Sequence, residues 1–218
     1  MLSKRLSVIK DFVSNEDKII DVGCDHALLD IFLVKNDIVD SLYVSDVSEN
    51  ALNNAIDNIE KNNLSDKIIP LLGNGLSVIN KSHDVDTLII SGMGSATILE
   101  IVRNKKISNI NKCIFQSNNN HEILRTYMIH HGFSLESERV VYEDKKYYVT
   151  MLFKRGKCSL KDYEISYGIH NNIDYYNYLL KKEKRIVKNI PLTHFLIRKK
   201  HRNNIKKINK CLEKIRQI

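Results

Sequence analysis

The sequence predicts an α/β fold built on a mostly parallel seven-stranded sheet, followed by a C-terminal antiparallel, coiled-coil-like helical region. Three observations predict it. Short β-rich runs alternate with helix-like segments as far as His131, two strand-like runs then follow one another around a turn near Asp144, and beyond Cys158 the pattern is helical throughout. Alternation of this kind gives a parallel sheet covered by helices on both faces. Two strands joined by a tight turn must be antiparallel, so the sheet is expected to end in a reversed edge strand.

The elements follow in order. "MLSKRLSVIKDFV" sets charged and apolar residues at helical spacing and lacks the apolar core and small-residue cleavage site of a signal peptide. Strands are expected at Lys18–Val22, Leu42–Asp46, Ile68–Leu72, Thr87–Ile90 and Lys112–Phe115, with "SENALNNAIDNIEKNN" and "SATILEIVRN" as helices between them. A helix over His121–His131 leads into the paired runs "FSLESERVVYE" and "KKYYVTMLFK". Five parallel strands closed by a hairpin is the Rossmann-like layout of class I methyltransferases. A dinucleotide dehydrogenase instead repeats βαβαβ in its second half. Residues 1–156 are assigned to this domain and 157–218 to the helical one.

In the second region Ile173, Tyr176, Leu180 and Val187 form one apolar stripe, and Ile205, Ile208, Leu212 and Ile215 a sharper one. Pro191 separates them, and proline stops a helix or opens the next. Two long helices folded back on each other would bury that seam and turn Lys181, Lys182, Lys184, Arg185, Arg198, Lys199, Lys200, Arg202, Lys206, Lys207 and Lys210 to solvent. A dimerising coiled coil is the other reading, but its flanking positions normally mix both signs, and acidic residues are scarce here. A monomer is expected.

The formal net charge of +8 is a property of this tail: residues 155–218 carry 17 Lys and Arg against 5 Asp and Glu, residues 1–154 carry 17 against 21. A bias towards lysine codons would not give the two parts opposite signs. Such segregation is the footprint of a nucleic-acid-binding surface. With 218 residues, 43% of them hydrophobic, the chain can bury a sizeable core. It has no run of 18 apolar residues to span a membrane, and a cytoplasmic location is expected. Cys24, Cys113, Cys158 and Cys211 are far apart, without a C-x-x-C pair or a histidine at ligand spacing, so neither a metal nor a disulfide framework is expected.

The turn after the first strand, "DVGCDHALL", carries the ligand argument. A pyrophosphate held at a turn and helix N-terminus would be repelled by Asp25. S-adenosylmethionine has no phosphate and carries a cationic ammonium and sulfonium. Gly23 lets the backbone approach such a ligand, and Asp21 and Asp25 offset its charge. Asp25 capping the next helix is the competing reading. Asp46, 23 residues after Gly23, is placed to accept both ribose hydroxyls; here Asp46 or Ser48 could instead cap a helix. In "GNG", Asn74 is the candidate for an adenine amino group, or this is a plain turn. "SGMGS" ends the fourth strand at the carboxyl edge, where two glycines leave room for a flat base beside Met93, or simply lead into a helix.

"DVGCDHALL", "SDVSENAL", "GNGL", "SGMG", "FQSNNN", "YYVTMLF", Arg5-Leu6 near the start and the basic helical tail together resemble the bacterial tRNA (adenine-22-N1)-methyltransferases over nearly the whole chain. The chain departs from that pattern at Cys24, Ser95 and Ser117, all small residues in loops. The resemblance implies methyl transfer from S-adenosylmethionine to N1 of adenine 22 in tRNA. It also implies a cofactor set of Asp21, Gly23, Cys24, Asp25, His26, Asp46, Val47, Asn74, Gly75, Ser91 and Gly92. Asp25, Gly92 and Met93 would orient the adenine and stabilise its developing charge, while Arg5, Lys181, Lys182, Arg185, Arg198, Lys199, Arg202 and Lys206 would meet the tRNA. His26 could serve the ligand or be purely structural. A nucleotide-binding enzyme on the same sheet, a noncatalytic RNA-binding protein with a degenerate methyltransferase fold, and a methyltransferase acting on another RNA stay open at this level.

Overall fold

The computed structural model describes residues 2–217; Met1 and Ile218, the outer ends of the two predicted regions, lie outside the described residues. Strands β1 (Ile19–Val22), β2 (Leu42–Asp46), β3 (Ile68–Leu72), β4 (Thr87–Met93), β5 (Lys112–Ser117), β6 (Phe133–Glu143) and β7 (Lys146–Arg155) form one sheet in the order β3-β2-β1-β4-β5-β7-β6. The first five are parallel; β7 is antiparallel to both β5 and β6. Every residue of β1 and β5 is buried, as strands covered on both faces require. Edge strand β3 carries Pro70, which has no N–H to give a ladder and is tolerated at an edge.

Helices α1 (Lys4–Lys10), α2 (Leu28–Lys35) and α3 (Glu49–Lys61) cover one face, where Ile9, Leu33, Leu52 and Ile59 meet Val44 and Ile114. Helices α4 (Ser95–Val102) and α5 (His121–His130) cover the other, packing Leu99, Leu124 and Met128 against Phe115 and Phe153. The hairpin turns on Asp144 and Lys145, both left-handed at φ 47° and 62°, between the paired Glu143 and Lys146. Positive φ at both central residues is what a two-residue type I′ hairpin turn needs.

The expected reversed edge strand is corrected here. The reversed strand is β7, and it lies inside the sheet, while β6 runs with the parallel set at the edge. Burial explains the order: Val149, Thr150, Met151 and Phe153 of β7 are inaccessible, whereas Glu136 and Arg139 of β6 need solvent.

Three helices follow: α6 (Asp162–Tyr167), α7 (Ile173–Asn189) and α8 (Phe195–Arg216). α7 and α8 pack as the expected pair, with Tyr176, Ile208, Cys211 and Leu212 buried between them. Ile173 departs from the predicted stripe and is exposed. Short α6 packs on α5 and α8 and ties the pair to the sheet. Arg125 of α5 and Glu138 of β6 form an inaccessible ion pair at 2.8 Å. Arg125 also donates to the carbonyls of Ile165 and Ser166, and Glu138 accepts from the N–H of Ile169.

Most of the predicted cations face solvent, but two do not. Arg198 is half-buried and donates to the carbonyl of Ile190 at the end of α7 (2.6 Å), and Lys207 is held by Asp162 and Ser166. Cys24, Cys113 and Cys211 are buried, Cys158 is partly so, and all four are free thiols. Among the described residues no helix is long and apolar enough to cross a membrane.

Candidate functional site

β1 and β4 are neighbours in the sheet, but the chain leaves β1 in one direction and β4 in the other, which opens a crevice at their carboxyl ends. Two adjoining cavities of about 360 and 240 Å³ fill it and share Gly23, Asp46 and Met93. The first is bounded by Asp21, Cys24, Asp25, His26 and the Ser91–Met93 segment, with Arg5 on its wall. The second reaches Val47, Asn74 and Gly75 at the ends of β2 and β3. The structure therefore brings together the whole cofactor set predicted from the sequence.

The turn after β1 owes its shape to three left-handed residues: Gly23 (φ 82°), Asp25 (φ 49°) and Ala27 (φ 51°). The N–H groups of Gly23 and Cys24 both donate to the carbonyl of Ser45, and Asn58 of α3 donates its amide to the carbonyl of His26. A Cβ built on Gly23 would lie 2.0 Å from the Met93 methyl, which would have to swing aside, and the φ of 82° strains any residue but glycine. Ala27 caps α2 without a side-chain bond. The reading of Asp25 as a helix cap fails, and its carboxylate is left exposed at the cavity, 3.7 Å from the His26 ring.

Asp46 keeps one oxygen on the Ser48 N–H (2.8 Å), while Ser48 caps α3 through Ala51. The second Asp46 oxygen makes no hydrogen bond among the described residues, and Asn74 likewise presents an exposed side chain without a partner. β4 runs three residues past its predicted end at Ile90, through a bulge at Ser91–Met93 where Gly92 has φ 80°. Bulges of this kind re-aim the chain beside functional sites. Gln116 accepts from the Gly92 N–H (3.1 Å) and from the Ser91 hydroxyl, and Asn118 donates to the Gly92 carbonyl (2.6 Å). Asn119 accepts from the N–H and hydroxyl of Ser95. These three amides are absent from the predicted site set; the polar stretch Gln116–Asn120 at the end of a buried strand was their signal.

Asp30 is a second omission. It sits on α2 with no exposed surface, and neither of its oxygens, nor one oxygen of Asp21, meets a donor among the described residues. Burial and the neighbouring Asp30 carboxyl hold Asp21 well above the usual carboxylate range, and burial pushes Asp30 up to about 7. Two carboxyls packed together without a cation keep a proton between them. Burial, reinforced by these acids, also pushes Cys24 far up, so it is a thiol and not a nucleophile.

A stability prediction follows from the pair. The folded chain retains protons that the unfolded chain releases above about pH 4, so this stabilisation is complete below that pH and is lost as pH rises through about 7. One pH unit of displacement is worth about 1.4 kcal/mol. The melting temperature of the ligand-free chain should therefore fall by several degrees between pH 5 and 8, and Asp30→Asn, which needs no proton, should flatten that slope. Parallel slopes for the two proteins would refute the assignment.

The remaining predicted substrate residues, Lys181, Lys182, Arg185, Arg198, Lys199, Arg202 and Lys206, lie on α7 and α8 and do not line the crevice. Arg5 does, with its guanidinium 5.5 Å from the centre of the Tyr148 ring.

A family model described as a methyltransferase domain matches residues 2–151. The tRNA (adenine(22)-N(1))-methyltransferase of Bacillus subtilis (strain 168) is 29% identical over 157 residues, covering 71% of this chain and 66% of that protein, just under two thirds of its length. Among solved structures, M. capricolum TrmK in complex with S-adenosyl-homocysteine is 33% identical, with a TM-score of 0.89 over 99% of both chains. Streptococcus pneumoniae Sp1610 in complex with S-adenosyl-L-methionine is 28% identical, with a TM-score of 0.87 over 97% of this chain and 100% of that one.

Proposed function

The chain belongs to the methyltransferase-domain family and, within it, to the bacterial tRNA (adenine-22-N1)-methyltransferases, and from this premise we propose that it methylates N1 of adenine 22 in tRNA. The observation that carries the proposal is the acidic crevice, in which Asp21, Asp25, Asp30 and Asp46 gather around one cavity at the carboxyl edge of the sheet. The exposed Asp25 carboxylate, the free oxygen of Asp46 and the charge left on the proton-sharing Asp21–Asp30 pair suit a cationic guest and repel a diphosphate.

S-adenosylmethionine, when bound, supplies the methyl group. The chain's own residues do the rest. Gly23 keeps the wall thin, the free oxygen of Asp46 takes the ribose hydroxyls, Asn74 meets the adenine of the donor, and Asp25, with the proton-sharing Asp21–Asp30 pair, which can release its proton when a cation binds, offsets the positive charge. N1 of the target adenine already has an in-plane lone pair, so no strong base is required. Alignment and exclusion of water carry the rate, an effect worth about 7–11 kcal/mol where geometry is good. The Gly92 bulge, fixed by Gln116 and Asn118, and Met93 form the surface against which the base is held. Asp25 stabilises the cation that forms on the methylated ring. N1 is a pairing atom, so the nucleotide must leave its stack to reach this surface.

In this reading residues 1–156 hold donor and adenine, and the exposed lysines and arginines of 157–218, with Arg5, grip phosphates. The partner is tRNA, the location cytoplasmic, and the working form a monomer, since α8 covers the seam of α7 within one chain. Incubating the full-length chain with methyl-labelled S-adenosylmethionine and unmodified tRNA, then mapping the product by mass spectrometry, should give one 1-methyladenosine at position 22. Absence of label, or label on another base, refutes the proposal.

A further inference from the structure

Beyond the crevice, the hairpin tip carries a feature that neither the fold nor methyl transfer itself requires. The last residue of β5, Ser117, pairs with Val149, so residues 146–148 of β7 run past the end of β5, an overhang of roughly 10 Å at 3.3 Å per residue. On this overhang Tyr147 pairs across the hairpin with Tyr142, their ring centres 4.8 Å apart. Tyr175 and Tyr178 of α7 close on Tyr147 at 5.0 and 5.2 Å. The cluster borders a groove of about 570 Å³ that Asn118, Asn119, Lys145, Lys146 and Lys182 also line.

Three properties set it apart from core packing. Tyr142 and Tyr178 are each about half exposed, at 53% and 49%. None of the four hydroxyls has a hydrogen-bond partner among the described residues. The three lysines are exposed and form no salt bridge there, although Asp174 lies near Tyr147. Rings with wet faces and ammonium groups beside them match the chemistry of unpaired nucleotides: stacked bases on aromatics, phosphates on lysines. The groove also touches the reacting edge directly, because Asn118 bonds the Gly92 carbonyl.

We propose that Tyr142, Tyr147 and Tyr178 form a stacking platform for unpaired nucleobases of the tRNA next to the target adenine, with Lys145, Lys146 and Lys182 holding their phosphates. A base that leaves its stack strips its neighbours of a stacking partner, and the platform supplies the replacement. The inference rests on the tRNA-methylation reading and adds to it an aromatic contact surface at the hairpin tip, which meets the basic face of α7 at Lys182.

The test uses the full-length chain and unmodified tRNA transcript, with tRNA affinity measured across several salt concentrations and S-adenosylmethionine affinity by calorimetry. Tyr142→Ala/Tyr178→Ala should weaken tRNA binding about tenfold or more, with an unchanged salt slope and unchanged S-adenosylmethionine affinity, because stacking releases no counterions. Tyr142→Phe/Tyr178→Phe keeps the rings and should bind as the parent does, which separates stacking from misfolding. Lys145→Ala/Lys146→Ala/Lys182→Ala should lower the salt slope by about 2–3. If the parent methylates tRNA and the alanine pair binds it within twofold of the parent, the platform is refuted and the methyltransferase reading stands. The same holds if the phenylalanine pair loses as much affinity as the alanine pair. If the parent neither binds nor methylates tRNA, both fall together.

Discussion

Gly23→Val is expected to weaken S-adenosylmethionine binding at least 100-fold and to silence methyl transfer while the sheet stays folded. Two independent effects add at this position. Gly23 has φ 82°, and a β-branched residue forced into that region costs about 1–3 kcal/mol. The new Cβ would also fall 2.0 Å from the Met93 methyl. Met93 borders both cavities, and its methyl, the free end of a flexible side chain, has to swing aside from the valine into space that the ligand would use. Calorimetry with the ligand, alongside circular dichroism, measures this; affinity within a few-fold of the parent would refute it. Adding Met93→Ala removes the clash but leaves the backbone strain, so the double variant should recover only part of the loss.

Arg125→Ala should be the most destabilising single change outside the core. Removing one partner of a buried ion pair leaves the other charge uncompensated and typically costs 3–5 kcal/mol, a large share of the 5–15 kcal/mol that holds a domain folded. Here the side chains of Arg125 and Glu138 are 2% and 0% exposed. The guanidinium also serves the carbonyls of Ile165 and Ser166, so α6 should loosen with it. Urea unfolding gives the magnitude, and amide exchange across residues 162–170 should quicken. Replacing both partners by apolar residues of similar size should cost less than either single change; equal or greater loss would refute the account. Cutting the chain at Lys157 would remove the same carbonyls and the Ile169 N–H from this pair. Weak tRNA binding by such a fragment would therefore not isolate the cations of α7 and α8.

The parallel strands and the long helices were legible because their signals are local: short runs rich in β-branched and apolar residues for the strands, and stripes at helical spacing for α3, α7 and α8. The acidic turn was equally legible, since Gly23, Asp25 and Asp46 act through charge and backbone freedom that residue identity reveals. What stayed hidden depends on partners distant in sequence. Ser91–Met93 reads as a loop until Gln116 and Asn118 arrive from the neighbouring strand to hold it extended. Asp30 reads as an ordinary polar position of an apolar helix until Asp21 is found beside it. The order of β7 and β6 turns on which is better buried on both faces, a comparison made only once the sheet is assembled. Six-residue α6 is too short for a periodicity to emerge.

The anchoring of α6 has a mechanical corollary. Glu164 of α6 is joined to Lys214 at the far end of α8, while Arg125 and Glu138 weld α6 to the sheet, so both strands of the helical arm share one fixed root. The arm's free tip, the loop between α7 and α8, then stands one helix length away, about 25 Å for 17 residues. An arm clamped in this way has its reach, the span from root to tip, set by the fold of the protein itself.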